Sequence, residues 1–152
     1  VEQPLPRAQR AGMARLAARF VVPIMADEAL RGPDDAFEIA RLGAADVLAL
    51  KIAKSGGPYG VIRTAAVGDA AGMALYGGTM LEGTIGSIAS AHAFSCLPRL
   101  AWGTELFGPL LLKDDVVVRR PDYAEFSMSL PTGPGLGVEL DEDKLAHYRR
   151  SN

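Results

Sequence analysis

The sequence is short of the residues that carry disulfide, soft-metal and nucleotide chemistry. It has one cysteine and two histidines in 152 residues. A lone Cys96 excludes an internal disulfide and fits a reducing, cytoplasmic setting. Its neighbours, Ala91 to Leu97, read as a helix interior, so the thiol is expected to be buried and inert. The absence of a histidine-rich cluster argues against zinc chemistry. Neither a nucleophile elbow nor a phosphate-cradling Walker loop occurs. A formal net charge of -2 without a Lys/Arg run makes no case for nucleic acid or a membrane surface as partner. The longest stretch poor in charge, Thr64 to Leu81, carries Asp69 and several glycines and is rejected as a membrane span. No secretory signal is visible.

What remains is a chain with 49% hydrophobic and 22% charged residues, ordinary for a globular domain. Its length suits one domain with a sizeable core. The most informative stretch is Val47-Leu48-Ala49-Leu50-Lys51, followed by Ile52, Ala53, Lys54 and the pair Gly56-Gly57. The apolar run has the character of a strand buried on both faces. Burying an ammonium is costly unless it is paired. Lys51 is therefore either a paired structural charge or a working group.

Around it, strand and helix alternate. Arg7 to Phe20 is helical, with Met13, Leu16, Ala17 and Phe20 at helical spacing. Val21 to Met25 is a short strand closed by Asp27 and Glu28. Pro33 with Asp34 and Asp35 starts a helix that ends near Gly43. A helix from Pro58 to Ala71 turns Val61, Ile62, Ala65 and Ala66 inward, and Met73 to Tyr76 is the next strand. Ile85 to Leu97 is a helix, and Leu100 to Glu105 a last strand containing Trp102. The period is about 25 residues, a βα unit that implies parallel strands.

Polar residues recur in step at the strand ends: Glu2, Asp27, Lys51, the Gly77–Glu82 loop and Glu105. Charges at every strand end favour the active face of a (β/α)8 barrel over an open sheet, which places ligands at one switch point. Five strand ends make slightly more than half a barrel. Val1-Glu2-Gln3-Pro4 reads as the end of a strand, so the chain is expected to begin mid-element, as a fragment would. Beyond Pro109 the period breaks. Residues 110–118 read as loop or short strand, Tyr123 to Leu130 alternates like an edge strand, and Asp141 opens a charged helix to Arg150. This tail is expected to pack across a neighbouring domain or the outside of the barrel.

Glu2 and Asp27 fall on adjacent strand ends, about 5 Å apart across a sheet. Two carboxylates so placed call for a cation, and magnesium or manganese prefer such oxygen ligands. The other reading is one solvated carboxylate and one salt bridge. Glu28 points the opposite way from Asp27. Lys51 is near enough to act on a metal-bound substrate or to pair with Asp27, whereas Lys54, after the strand, is expected at the surface. Glu105 is a site acid or a loop hydrogen-bond partner, and Glu82 can be either. His92 is expected to be structural and His147 solvated.

These residues also carry a resemblance. Glu2-Gln3-Pro4, Ile24-Met25-Ala26-Asp27-Glu28, Leu50-Lys51-Ile52-Ala53-Lys54-Ser55-Gly56-Gly57 and Gly77-Gly78-Thr79-Met80-Leu81-Glu82-Gly83 resemble the muconate-lactonizing branch of the enolase superfamily. Trp102-Gly103-Thr104-Glu105-Leu106-Phe107-Gly108-Pro109 and the tail Gly133 to Gly137 extend the likeness over essentially the whole chain. It is nearer the muconate cycloisomerases than the chloromuconate enzymes.

The resemblance implies an α/β fold: the C-terminal part of a (β/α)7β barrel, with residues 1–109 running from the end of strand 4 to strand 8. Residues 110–152 would form a tail that packs back on a capping domain. That domain, the first barrel strands, the second-strand lysines and the first metal ligand are expected upstream of Val1. The resemblance implies an isomerase, an intramolecular lyase interconverting cis,cis-muconate and muconolactone in catechol breakdown. Its implied partners are Mn2+ or Mg2+, a small dicarboxylate substrate and further copies of itself in a homo-oligomer. By position, Glu2 and Asp27 match metal ligands, Lys51 and Glu105 catalytic groups, and Thr79, Met80 and Phe107 pocket-lining residues. A chloromuconate cycloisomerase, a dipeptide epimerase or an o-succinylbenzoate synthase would use a similar metal site, and an inactive binding module is the non-enzymatic alternative.

Overall fold

Short apolar runs and helical spacing take turns along the chain, and the elements follow them. The computed structural model describes residues 1–150, so Ser151 and Asn152 of the expected tail lie outside the described residues. The first part contains α1 (Arg10–Arg19), β1 (Met25–Ala26), α2 (Pro33–Leu42), β2 (Val47–Leu50), α3 (Ile52–Ser55), α4 (Pro58–Ala70), β3 (Ala74–Gly77) and α5 (Thr84–Ser95). The second contains α6 (Gly108–Leu111), β4 (Tyr123–Ala124), β5 (Ser127–Met128) and α7 (Glu142–Tyr148).

The strands β1, β2 and β3 form one parallel sheet in that order, with Ala26 opposite Leu48 and Leu48 opposite Leu75. Single parallel bridges extend it at both edges, Glu2 to Met25 and Gly77 to Thr104. Five chain segments thus run side by side at the expected repeat. Helices α2 and α4 supply the crossovers. In α2, Pro33 occupies the first turn and Asp34 and Asp35 sit at its positive end, and Gly43 closes it, as the sequence indicates.

Alternation along the strands separates two faces. Ala26, Leu48, Leu50 and Leu75 point toward the helices and join Ile39, Val61, Ala65 and Phe94 in the main core. Met25, Val47, Ala49, Ala74 and Tyr76 form a second, smaller apolar cluster on the other face. The fit between α4 and the sheet is close. A Cβ added to Gly68 would stand 2.6 Å from Leu48 Cδ1 and 3.1 Å from Leu75 Cδ2.

The tail is tied to this layer by polar side chains. Asp115, buried, accepts the Thr84 N–H at the start of α5 at 2.8 Å, and the Tyr123 hydroxyl donates to Leu106 O at 2.7 Å. His92, half-buried on α5, lies 3.2 Å from Leu136 O, a structural placement. His147 is exposed on α7, whose start is capped by Asp141.

Several expectations need correction. Cys96 is exposed, because α5 ends at Ser95 and Cys96 is its cap rather than an interior position. Ile62 and Ala66 face outward on α4; the inner stripe is Val61, Thr64, Ala65 and Gly68, rotated by the polar but fully buried Thr64, whose hydroxyl donates to Gly60 O. Phe20 caps α1 in the open, and Val21 is fully exposed, so the first strand starts only at Met25. The last expected strand contracts to the single bridge at Thr104, with a turn at Ala101 and Trp102. Tyr123 to Leu130 is no edge strand but a two-residue hairpin, with Glu125 and Phe126 both at positive φ. The expected loop or short strand from residue 110 opens instead with the end of the short helix α6.

Gly68→Val is expected to cost about 1–3 kcal/mol by overpacking the α4–sheet contact. Urea unfolding should show a lowered midpoint at unchanged slope; an unmoved midpoint would contradict the close packing.

Candidate functional site

One carboxylate lies at the centre of the strand-end face. Asp27 follows β1 in the inward register of Met25, and Lys51 follows β2 in the register of Val47 and Ala49. Both are 7% exposed. Lys51 Nζ donates to Asp27 Oδ2 at 2.7 Å. Just past β2 the chain makes the single helical turn α3, for which Lys51 is the N-cap and Gly56 the left-handed C-cap. Positions three apart share a helix face, and this turn brings Lys54 back over the same carboxylate. Its Nζ pairs with Asp27 Oδ1 and donates to Asp27 O at 2.6 Å and Ala49 O at 3.3 Å.

Lys54 is therefore not the surface residue expected. The apolar strand ends in a turn of helix rather than in an open loop, and that turn buries it. Burial pushes the Lys54 ammonium below its ordinary pKa, partly opposed by its hydrogen bond to Asp27. Burial also raises the Asp27 carboxyl, but the hydrogen bonds and charges of Lys51 and Lys54 outweigh it and hold the group below the usual carboxylate range. The pairing of Lys51 with Asp27 weighed from the sequence is present.

Glu2 stands at the rim, exposed, bridged through its backbone to Met25. Partial burial raises its carboxyl above the ordinary value, and the Asp27 charge adds to this; Lys51 works against it, and Glu105 and Glu28 raise it further. Excess negative charge on this side suits a hard cation, and carboxylate oxygens are its preferred donors. Glu2 and Asp27 fit as part of a ligand set. Among the described residues no three His, Cys, Asp or Glu side chains are grouped closely enough to hold a metal ion. Glu28 is exposed and lines a cleft together with Glu2 and Asp27.

Glu105 and Thr79 meet across the other edge. The Thr79 N–H donates to Glu105 Oε1 at 3.1 Å. Thr79 is buried, Met80 is 58% exposed at the loop tip, and Phe107, at the N-cap of α6, is 39% exposed. Tyr76 stands between the two halves of the face. Its hydroxyl is raised well above the ordinary tyrosine value by burial first, then by Glu105 and by Glu2 and Asp27. Gly78 leaves room for Lys51: a Cβ there would lie 2.7 Å from Lys51 Cε.

Sequence reasoning missed three of these residues. Lys54 was legible only as one charge three residues after another. Tyr76 was read merely as part of a strand. Gln3 braces the site: its side-chain oxygen accepts the Asp27 and Ala29 N–H groups, both at 3.0 Å, while its amide donates to Leu5 O at 2.7 Å. No pattern marks such a brace. A cleft lined by Glu2, Gln3, Pro4, Asp27 and Glu28 opens beside them. A cavity of about 320 Å³ in the tail is remote from the strand ends, and its arginines are engaged, Arg119 with Asp122 and Arg120 with Leu112 O.

Asp27 with its lowered carboxyl contributes stability that is complete above the ordinary Asp value, near 3.9. That contribution is lost as pH falls through the lower folded-state value. The stability gap between the wild type and Asp27→Asn is thus expected to be widest at neutral pH and to narrow below about pH 4 in urea titrations. A gap independent of pH would contradict the charge pairing.

The enolase C-terminal domain-like family matches residues 1–144. Muconate cycloisomerase 1 of Pseudomonas putida is 56% identical over 150 residues, which is 99% of this chain and 40% of that protein. The crystal structure of muconate cycloisomerase from Pseudomonas fluorescens superposes with a TM-score of 0.96 at 57% identity, covering 99% of this chain and 42% of the other. The Pseudomonas fluorescens muconate lactonizing enzyme complexed with muconolactone superposes at 0.95 with 58% identity, covering 98% and 40%. The chain spans about two fifths of the length of the relatives it matches. Its strands are the C-terminal part of the barrel in those proteins, which accounts for an α/β sheet that does not close on itself. The chain belongs to the enolase C-terminal domain-like family.

Proposed function

We propose that this chain is the C-terminal part of a muconate cycloisomerase, and that the whole protein interconverts cis,cis-muconate and muconolactone. The observation that carries the reading is the buried cluster of Asp27, Lys51 and Lys54, with Glu2 beside it at the strand ends of a chain so close in sequence to proteins of that name. Residues 1–109 would be barrel, and residues 110–152 a tail against a capping domain encoded upstream. Assembly as a homo-oligomer and a cytoplasmic setting belong to the same reading; among the described residues no helix is long and apolar enough to cross a membrane.

In lactonization one carboxylate oxygen of the substrate adds to the double bond conjugated with the other carboxylate, and that π bond breaks. A C–O bond forms, and the displaced electron pair moves to the carbon α to the other carboxylate, which must then take a proton. Negative charge grows at that second carboxylate, so catalysis rests on placing positive charge there in advance. Glu2 and Asp27 would hold a divalent cation, Mn2+ or Mg2+, which when bound supplies Lewis-acid stabilisation of that charge. Lys51 presents its ammonium at the same place, held by Asp27 Oδ2, and can hold or pass a proton at Nζ. Glu105, oriented by the Thr79 N–H, supplies the acid on the other edge. Thr79, Met80 and Phe107 line the substrate's seat. The main proton donor would be a lysine upstream of this chain.

Lys51→Ala in the full-length protein is expected to lower turnover of cis,cis-muconate by at least about 100-fold, the usual worth of a proton-handling group. The fold should survive, because Lys54 still neutralises Asp27. Retained turnover would make Lys51 a structural partner of Asp27 alone. Faster turnover of a chloromuconate, a dipeptide or the o-succinylbenzoate precursor than of muconate would redirect the substrate assignment.

A further inference from the structure

The loop joining β3 to α5 is folded around a carboxylate that the reaction above leaves without a role. Glu82 Oε2 accepts from the Thr79 hydroxyl and from the Met80 N–H at 2.9 Å. Thr79 Oγ1 in turn accepts the Leu81 N–H at 2.9 Å. The ring of bonds holds Leu81 at a φ of 61°, a conformation uncommon for any residue with a side chain. Such a backbone persists only where its surroundings over-determine it.

Those surroundings are present. The Ser87 hydroxyl on α5 donates to the Glu82 carbonyl at 3.0 Å, and a Cβ on Gly86 would stand 2.6 Å from Glu82 Cβ. Gly108 lets the start of α6 press against the same carbonyl. The glutamate stem is thus pressed by α5 and its backbone carbonyl by α6, while its head closes the loop. The loop reaches the side chains of the strand-end face through the Thr79 N–H on Glu105 Oε1, while the Gly78 N–H ties its start to Leu50 O at the end of β2. Among the described residues Glu82 Oε1 is buried without a partner, so the clasp works through a single oxygen.

We propose that Glu82 is a positioning residue: it sets the Thr79–Met80 backbone and, through the Thr79 N–H, the Glu105 carboxylate, and thereby the seat of the dicarboxylate substrate. The inference rests on the muconate reading of the site. What the clasp needs is one well-placed acceptor oxygen, not a charge. Gln at 82 supplies that oxygen and turns its NH2 to the unpartnered side; Ala supplies none.

The test uses the full-length protein as wild type, Glu82→Gln, Glu82→Ala and Thr79→Val. Steady-state kinetics on cis,cis-muconate, amide hydrogen exchange at Met80 and Leu81, and the thermal midpoint are measured. Glu82→Ala is expected to raise KM about tenfold with a smaller change in kcat, and to speed exchange of both amides about tenfold. Glu82→Gln should stay within about twofold of wild type in both readouts. If Glu82→Ala does not fold, Thr79→Val takes its place, with the same rise in KM expected. Equal impairment by Gln and Ala, or unchanged KM and exchange in Ala and Val, would overturn the proposal. A wild type that does not turn over muconate overturns the substrate reading instead, and the exchange of Met80 and Leu81 still decides the clasp.

Discussion

A single buried carboxylate shared by two ammonium groups is the constraint on which this end of the molecule depends. Asp27 meets Lys51 through one oxygen and Lys54 through the other. None of the three would be tolerated at that depth with no partner at all, since an uncompensated buried charge costs several kcal/mol. Together they leave a net positive centre at a position where a sheet would otherwise present only apolar side chains. Much of the local structure serves the arrangement. The turn of α3 returns Lys54, Gln3 pins the Asp27 and Ala29 backbone, and Gly78 leaves space for the Lys51 stem.

The parallel sheet makes such clustering possible. Parallel neighbours in register put residues from distant parts of the chain at matching heights, and alternation sends every second one to the same face. Met25, Val47, Ala49 and Ala74 are small or unbranched enough at their tips to line that face, and the polar groups come only where the strands stop. The other face carries the bulk of the core, so α2, α4 and α5 hold the strands while the chemistry stays at their ends. Tyr76 connects the cationic cluster to the Glu105 side, with its hydroxyl kept protonated by burial and by surrounding carboxylates.

Much of this architecture could be read from residues alone, and the failures have physical causes. Pro33, the two acids after it and Gly43 bound α2 because they act locally on helix ends. The recurrence of Glu2, Asp27, Lys51 and Glu105 marked the strand-end face because the βα repeat has a fixed length. Lys54 was misplaced because periodicity describes the strand and says nothing of how it ends. Ile62 was misplaced because Thr64 is as well buried as any apolar residue once its hydroxyl bonds to the helix's own backbone. The hairpin at Glu125 and Phe126 defeats an alternation rule, since neither residue favours positive φ and the pairing of β4 with β5 across them imposes it. Gln3 and Glu82 act through hydrogen bonds to backbone groups that no spacing reveals.

Family membership and the charge cluster point the same way. The sheet delivers two carboxylates, two ammonium groups and a further acid to one rim, and the negative excess at Glu2 is what a divalent cation would neutralise. Calorimetric titration of the full-length protein with Mn2+, wild type against Glu2→Gln, tests this most directly. One ion per subunit is expected in the wild type, with binding weakened by at least about tenfold in the variant, the smaller of the losses seen when metal-site support is removed. No binding by the wild type, or equal binding by the variant, would contradict it.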